Sequence, residues 1–190
     1  MVKRTGIAVK FQERVDKVTP LAGGGFEVLT TRSRYITRTV LLAIGRCGTP
    51  RKLEVPGEDL SKVVYRLIDP EQYRGQRVVV VGGGDSAVEA ATSLAEEAGT
   101  RVVLSYRGDA FTRLKPKNRE RLEVLSAKRR IVVKLKSTIK SIDPVSVEIQ
   151  YQGKCSRIQN DAVIVCAGGI LPTGFLKSIG VAVESKFGTA

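Results

Sequence analysis

The chain has 190 residues, 42% of them hydrophobic, and 32 Lys and Arg against 19 Asp and Glu, a formal net charge of +13. That length holds one or two small domains with a real core. It contains no histidine and only three cysteines, Cys47, Cys155 and Cys166, so it has no CxxC, no structural zinc set, and no Ser/His or Cys/His catalytic set.

In chain order, the first part reads as β-structure with turns. Ile7–Phe11 alternates weakly, Val15–Thr19 is a short strand closed by Pro20, and Ala22–Gly25 is a turn into the alternating run Phe26–Thr30. Ser33–Ile36 is another short strand, and Thr39–Ile44 reads as an apolar buried strand ending at Gly45. Arg46–Asp59, with Pro50 and Pro56, reads as a linker or crossover. Asp69-Pro70 opens a short turn or helix that ends near Tyr73–Gln76.

The most informative stretch follows. Val78–Val81 are four consecutive β-branched residues, the pattern of a short strand buried on both faces. Gly82-Gly83-Gly84 comes next, and then Ser86–Ala98 with Ala87, Ala90, Ala91, Leu94 and Ala95 at helical spacing, closed by Gly99. This is the strand, glycine turn and helix that open a dinucleotide-binding unit, in the form Gly82-x-Gly84-x-x-Ala87. Gly82 allows the tight turn, Gly84 lets a pyrophosphate approach the backbone, and Ala87 lets the helix lie close to the strand. Asp85 and Ser86 place the first helical N–H groups and the positive end of the helix dipole beside that pyrophosphate.

Arg101–Arg107 is the second strand, Pro116 the first residue of a helix reaching about Lys128 with Leu122 and Leu125 inward, and Ile131–Leu135 the third parallel strand. Ser137–Ile142, Val145–Tyr151 and Cys155–Ile158 form a meander. Ala162–Ala167, the longest apolar run, is a buried strand ending in Gly168-Gly169, within which Cys166 reads as a small core residue. Such a run is strand-sized, and no apolar signal core follows Met1. The chain is therefore expected to be cytoplasmic, with no membrane partner and no metal. Phe26–Pro50 and Val145–Pro172 repeat one order of strand, turn, short strand, apolar strand, glycine and proline, which suggests two related nucleotide-binding domains.

Charge is uneven. Arg101–Lys140 holds 13 Lys and Arg against 3 Asp and Glu. NAD enzymes place an acid at the end of the second strand for the ribose 2′-hydroxyl; here Tyr106 stands there and Arg107 follows, which favours a 2′-phosphate and hence NADP. Arg113, Lys115 and Lys117 are candidates to complete the clamp. One phosphate needs only two or three cations, so the rest of the excess belongs to a solvated face, an acidic protein partner or polyanion affinity; nucleic acid is an unfavoured partner, since aromatics are few and no recognition motif is present.

Taken together, Ala43-Ile44-Gly45 with Pro50, Val55-Pro56-Gly57-Glu58, Gly82–Ala87 with Glu89, Arg107, and Ala167-Gly168-Gly169 with Pro172 resemble the thioredoxin-reductase-like flavoproteins, in which an NAD(P)H domain interrupts an FAD domain. The resemblance implies an α/β fold: a Rossmann-like parallel sheet with a β-meander, plus part of an FAD-domain meander. It implies domains at 1–60 (partial FAD-domain meander and crossover), 61–169 (the NADP(H) domain) and 170–190 (a return toward the FAD domain). It implies that Glu89 approaches the nicotinamide amide, and that Ala167 and Gly168 belong to the cofactor-binding set. The family's first glycine motif and late Gly-Asp segment are missing from the chain, which is expected to be part of a longer flavoprotein and not to bind FAD tightly by itself. Residues Tyr65–Ile68 stand where thioredoxin reductases carry a CxxC. The resemblance is therefore to dithiol-free members, ferredoxin–NADP reductases and bacillithiol-disulfide reductases. These pass electrons from NADPH to FAD and on to an external acceptor, a small disulfide or ferredoxin-like protein; a homodimer is compatible with it. No side chain reads as a proton-transfer catalyst, and hydride transfer needs none. The competing reading is a non-catalytic Rossmann-type module, an NADP sensor or a basic face for nucleic acid or an acidic protein.

Overall fold

A computed structural model of the protein describes residues 6, 8–44 and 49–184. The chain divides into two compact units, one of Met1–Gly48 with Leu171–Ala190 and one of Thr49–Ile170.

The first unit holds an antiparallel sheet of β1 (Val15–Pro20), β2 (Phe26–Thr30) and β3 (Arg34–Thr37) in that order. The turn between β1 and β2 is closed by the Leu21 N–H to the Gly25 carbonyl at 3.0 Å, with Gly24 and Gly25 at φ +87° and +83°, backbone that glycine adopts without strain. Two expected strands do not form. Residues 8–11 are irregular, with Phe11 74% exposed, and Ile7 lies outside the described residues. Residues 39–44 form no strand either, and Leu41 is 92% exposed; Gly45, Arg46 and Cys47 lie outside the described residues. An apolar strand of this kind is held by ladders on its edges and cover on its faces. Among the described residues no strand pairs with 39–44.

The second unit is built on a five-stranded sheet. Its strands are β5 (Val63–Val64), β6 (Arg77–Val81), β7 (Arg101–Tyr106), β8 (Ile131–Leu135) and β12 (Ala162–Val165), ordered β5-β12-β6-β7-β8 and all parallel. Alternate side chains of this sheet feed two cores. Val78, Val80, Val102, Leu104, Ile131 and Ile164 meet α1 (Asp85–Glu96) and α2 (Pro116–Ala127). Along α1, Ala87, Ala91, Leu94 and Ala95 are fully buried. Truncating Leu94, one of the largest of the fully buried side chains, would cost about 2–5 kcal/mol. On the other face Val79, Val163 and Val165 meet the meander of β9 (Ser137–Ile142), β10 (Ser146–Tyr151) and β11 (Lys154–Gln159). Val78, Val79 and Val80 are at most 1% exposed, as a strand covered on both sides must be. Leu53, Val55 and Leu60 pack on this second core as well. A two-residue ladder joins β4 (Thr49–Pro50) to β13 (Gly169–Ile170), after which α3 (Thr173–Ser178) belongs to the first unit.

Polar groups lock the amino end of β12 to β6 and β5. Asp161 accepts from the Arg77 guanidinium at 2.8 and 2.6 Å and from the Arg77 backbone N–H at 2.8 Å. Those bonds hold its carboxyl well below the usual range, at about 2. Buried Asn160 donates to the carbonyls of Arg77 and Ala162, and its side-chain oxygen accepts from Lys62 Nζ at 2.8 Å.

The turn before β5 is pinned to the meander. The Ile142 N–H donates to the Pro56 carbonyl at 2.9 Å, and a Cβ on Gly57, at φ +80°, would overlap the Ile142 carbonyl oxygen. Neither backbone can give way without breaking that bond. Gly57→Ala is expected to destabilise the chain by roughly 1–3 kcal/mol, read as a lower urea midpoint at unchanged slope.

Candidate functional site

The strand order places the site. From β6 the sheet grows outward through β7 and β8 on one side, and β12 is added on the other. The reversal falls between β6 and β12, and in open parallel sheets ligands sit beyond the carboxyl ends of the strands at such a point. The segments at that edge are 82–84 after β6, 106–113 after β7 and 166–168 after β12, with Arg66–Ile68 after β5.

The three glycines of the turn have different reasons to be glycine. Gly82, at φ +147°, is held by the fold: a Cβ there would overlap the Cys166 carbonyl and lie 3.0 Å from the Ala87 Cβ. The Gly82 and Cys166 N–H groups donate to the Ser105 and Val81 carbonyls at 2.9 and 2.7 Å, which draws the three strand ends together. Gly83 is also held by the fold, because its Cβ would collide with the Tyr106 ring. Gly84, exposed at the start of α1, has nothing within 4 Å of a Cβ position. Of these three glycines, Gly84 alone is crowded by no neighbour. Beside it the Asp85 and Ser86 N–H groups make no backbone hydrogen bond among the described residues, while those of Ala87 and Val88 donate to the Gly84 carbonyl. An open backbone next to two free amides at the positive end of a twelve-residue helix fits a phosphate group.

Tyr106 lies across this turn. Its ring rests on Gly83, stacks on Phe111 with centroids 5.4 Å apart at 11°, and approaches Gly108 so closely that a Cβ there would be 2.6–2.9 Å from Cε1, Cζ and Oη. The ring thus links the glycine turn to the loop that carries Arg107 and Arg113, both exposed. Only glycine at 108 leaves room for it.

The Asp85 and Glu89 carboxylates both reach the start of α2. Asp85 accepts from the Lys115 N–H at 3.0 Å and from Asn118 Nδ2 at 2.7 Å, bonds that hold its carboxyl below the usual range. Glu89 Oε1 accepts from the same Asn118 nitrogen at 2.9 Å. Asn118, 8% exposed, therefore ties α1 to the start of α2. It shares a helical stripe with Leu122 and Leu125, and a polar residue in an inward stripe is the signal that would have found it. The Lys115 and Lys117 side chains are exposed and without a partner among the described residues, Ser86 is exposed, and Ala167 is half-buried. Gly168, at φ +86° with open space at its Cβ, accepts from the Arg51 N–H at 2.9 Å. Burial pushes the Cys166 thiol up to about 11, the behaviour of a packed residue and not of a reactive one.

The Tyr106–Gly83 contact has a measurable consequence. Gly83→Ala is expected to lower stability by about 1–3 kcal/mol, and Tyr106→Ala to relieve part of that loss. A double-mutant cycle by urea unfolding should give a coupling of roughly 0.5–3 kcal/mol; additive losses would mean the ring and the turn are independent.

The sequence matches the family described as pyridine nucleotide-disulphide oxidoreductase over residues 1–188. It is 43% identical over 113 residues to a ferredoxin–NADP reductase of Ignicoccus hospitalis, covering 58% of this chain and 36% of that protein. It is 32% identical over 165 residues to the bacilliredoxin reductase Bdr of Bacillus subtilis, covering 86% of this chain and 51% of that one. Among solved structures, the bacillithiol disulfide reductase Bdr of Bacillus cereus superposes with a TM-score of 0.85 at 30% identity, over 97% of this chain and 58% of that one. A thioredoxin reductase of T. acidophilum, at a TM-score of 0.75 and 24% identity over 90% of this chain and 57% of that one, has the same fold. The chain spans 36% to 58% of the length of these proteins. With the strand order, the glycine turn and the meander all in place, the chain belongs to the pyridine nucleotide-disulphide oxidoreductase family.

Proposed function

We propose that the unit Thr49–Ile170 binds NADP(H) along the carboxyl edge of its sheet, as the NADPH-binding portion of a flavin-dependent reductase. The observation that carries this reading is Gly84, open on its Cβ side beside the free amides of Asp85 and Ser86. The pyrophosphate is assigned to Gly82–Gly84 and those two amides. The adenosine 2′-phosphate is assigned to Arg107, with Arg113 and Lys115 as further cations. With the adenosine half over β7, the nicotinamide half runs the other way, toward Ala167, Gly168 and Glu89. Asp85 and Asn118 act as positioning residues, since they fix the start of α2 and its Lys115 against α1. Bound NADPH supplies a hydride from the nicotinamide, and FAD in the whole protein is the proposed group that receives it. The protein's own part is to hold, orient and charge-match the dinucleotide. An external acceptor, a small disulfide or a ferredoxin-like protein, follows from the relatives' printed names and is part of the same proposal.

Arg107→Ala tests the assignment. A charge-assisted contact to a phosphate is expected to be worth about ten- to a hundredfold in affinity. The variant should bind NADPH that much more weakly and NADH almost unchanged, by calorimetry, with the difference shrinking at high salt. Equal losses for both cofactors would move Arg107 to a structural role.

A further inference from the structure

The opposite, amino edge of the same sheet carries a second basic feature, and the cofactor reading does not use it. Arg77 and Arg101 are direct partners across β6 and β7, and the pairing of Val102 with Ile131 sets Arg130 at the same level beside Arg101. Arg77 and Arg101 therefore open neighbouring strands about 4.8 Å apart, and Arg130 stands just before the next. Like charges so placed repel unless something answers them. Arg77 is answered by Asp161, and Arg130 by the Ala95 and Glu97 carbonyls at the end of α1. Arg101 makes no side-chain hydrogen bond or ion pair among the described residues, and neither does Arg129, which holds a left-handed backbone at φ +55°.

These side chains rim a cleft of about 620 Å³ in which Lys134 and no Asp or Glu takes part. Its floor is the meander-side face of the sheet. Val103 packs against the meander, while its partner Val132 is 51% exposed; Lys134, on the same strand as Val132, reaches over the Tyr151 ring of β10 at 4.4 Å, and Ile158 of β11 forms the wall. An apolar floor under unanswered guanidinium groups suits a molecule with a flat apolar body and an anionic oxyacid group. The volume falls in the range of small-ligand clefts, roughly 300–1,000 Å³.

We infer that this cleft is a second ligand site, for a small organic anion bearing a phosphate, sulfonate or carboxylate on an apolar body. It lies one strand length, roughly 17–20 Å, from the cofactor edge. It does not depend on the cofactor assignment.

The dye 8-anilinonaphthalene-1-sulfonate has this chemistry and serves as the probe on the full chain. Fluorescence titration should show one saturable site per chain. Saturating NADP+, which is not fluorescent, should leave it unchanged, and inorganic pyrophosphate should displace it. Arg101→Gln combined with Arg129→Asn, the latter chosen because asparagine tolerates the left-handed backbone, should weaken binding at least tenfold with an unchanged far-UV circular dichroism spectrum. Binding that does not saturate at one equivalent, displacement by NADP+, no displacement by pyrophosphate, or an unchanged affinity in the folded double variant would each overturn the inference. The pyrophosphate arm uses the unaltered chain and so stands even if the double variant fails to fold.

Discussion

The close approach of two backbones sets up everything at the carboxyl edge. The Cys166 carbonyl occupies the space in which a side chain at position 82 would begin. That contact brings the ends of β6 and β12 together where the sheet reverses its order. It also fixes the start of α1, because the Ala87 Cβ fills the remaining room. Any side chain at 82 would force strand, strand and helix apart together. The geometry of the turn is thus a property of the core, and the backbone at Gly84 is the part of it that no neighbour crowds.

The charge of the second unit is arranged around this sheet in two places. At the carboxyl edge Arg107, Arg113, Lys115 and Lys117 are exposed on and beside one loop, with the Tyr106 ring beneath it. At the amino edge Arg77 and Arg101 start β6 and β7, and Arg129 and Arg130 immediately precede β8. Arg77 and Arg130 there have structural partners, whereas Arg101 and Arg129 have none among the described residues. A count of charges along Arg101–Lys140 merges the two groups. Parallel strands separate them, because residues a few positions apart in sequence end on opposite edges of the sheet.

Much of this is legible in the sequence. The β6–α1 unit, the three parallel strands and the meander follow from periodicity, and each formed within a residue or two of its expected bounds. The apolar pattern is decisive there because both faces of the sheet are buried. The same pattern misled at 39–44, where apolar residues at strand spacing find no ladder partner among the described residues. The ladder between β4 and β13 was not legible, since two residues carry no period. In the site, the glycine turn and Arg107 stood out by motif. Asn118 and the stacking of Tyr106 on Gly83 did not, because each depends on contacts between segments twenty or more residues apart. Asp85 illustrates the limit: its place in the motif suggests the ligand, while its hydrogen bonds point to α2.

The most direct test of the proposed dinucleotide site is an amide chemical-shift titration of the isotopically labelled chain with NADP+. The account predicts that the largest changes fall on Gly83, Gly84, Asp85 and Ser86, with a second group at Tyr106–Gly108 and a third at Ala167-Gly168. Amides at the amino edge, Arg77, Arg101 and Ile131, should stay still. Shifts concentrated at the amino edge, or an unmoved Gly84–Ser86 segment under saturating cofactor, would contradict it.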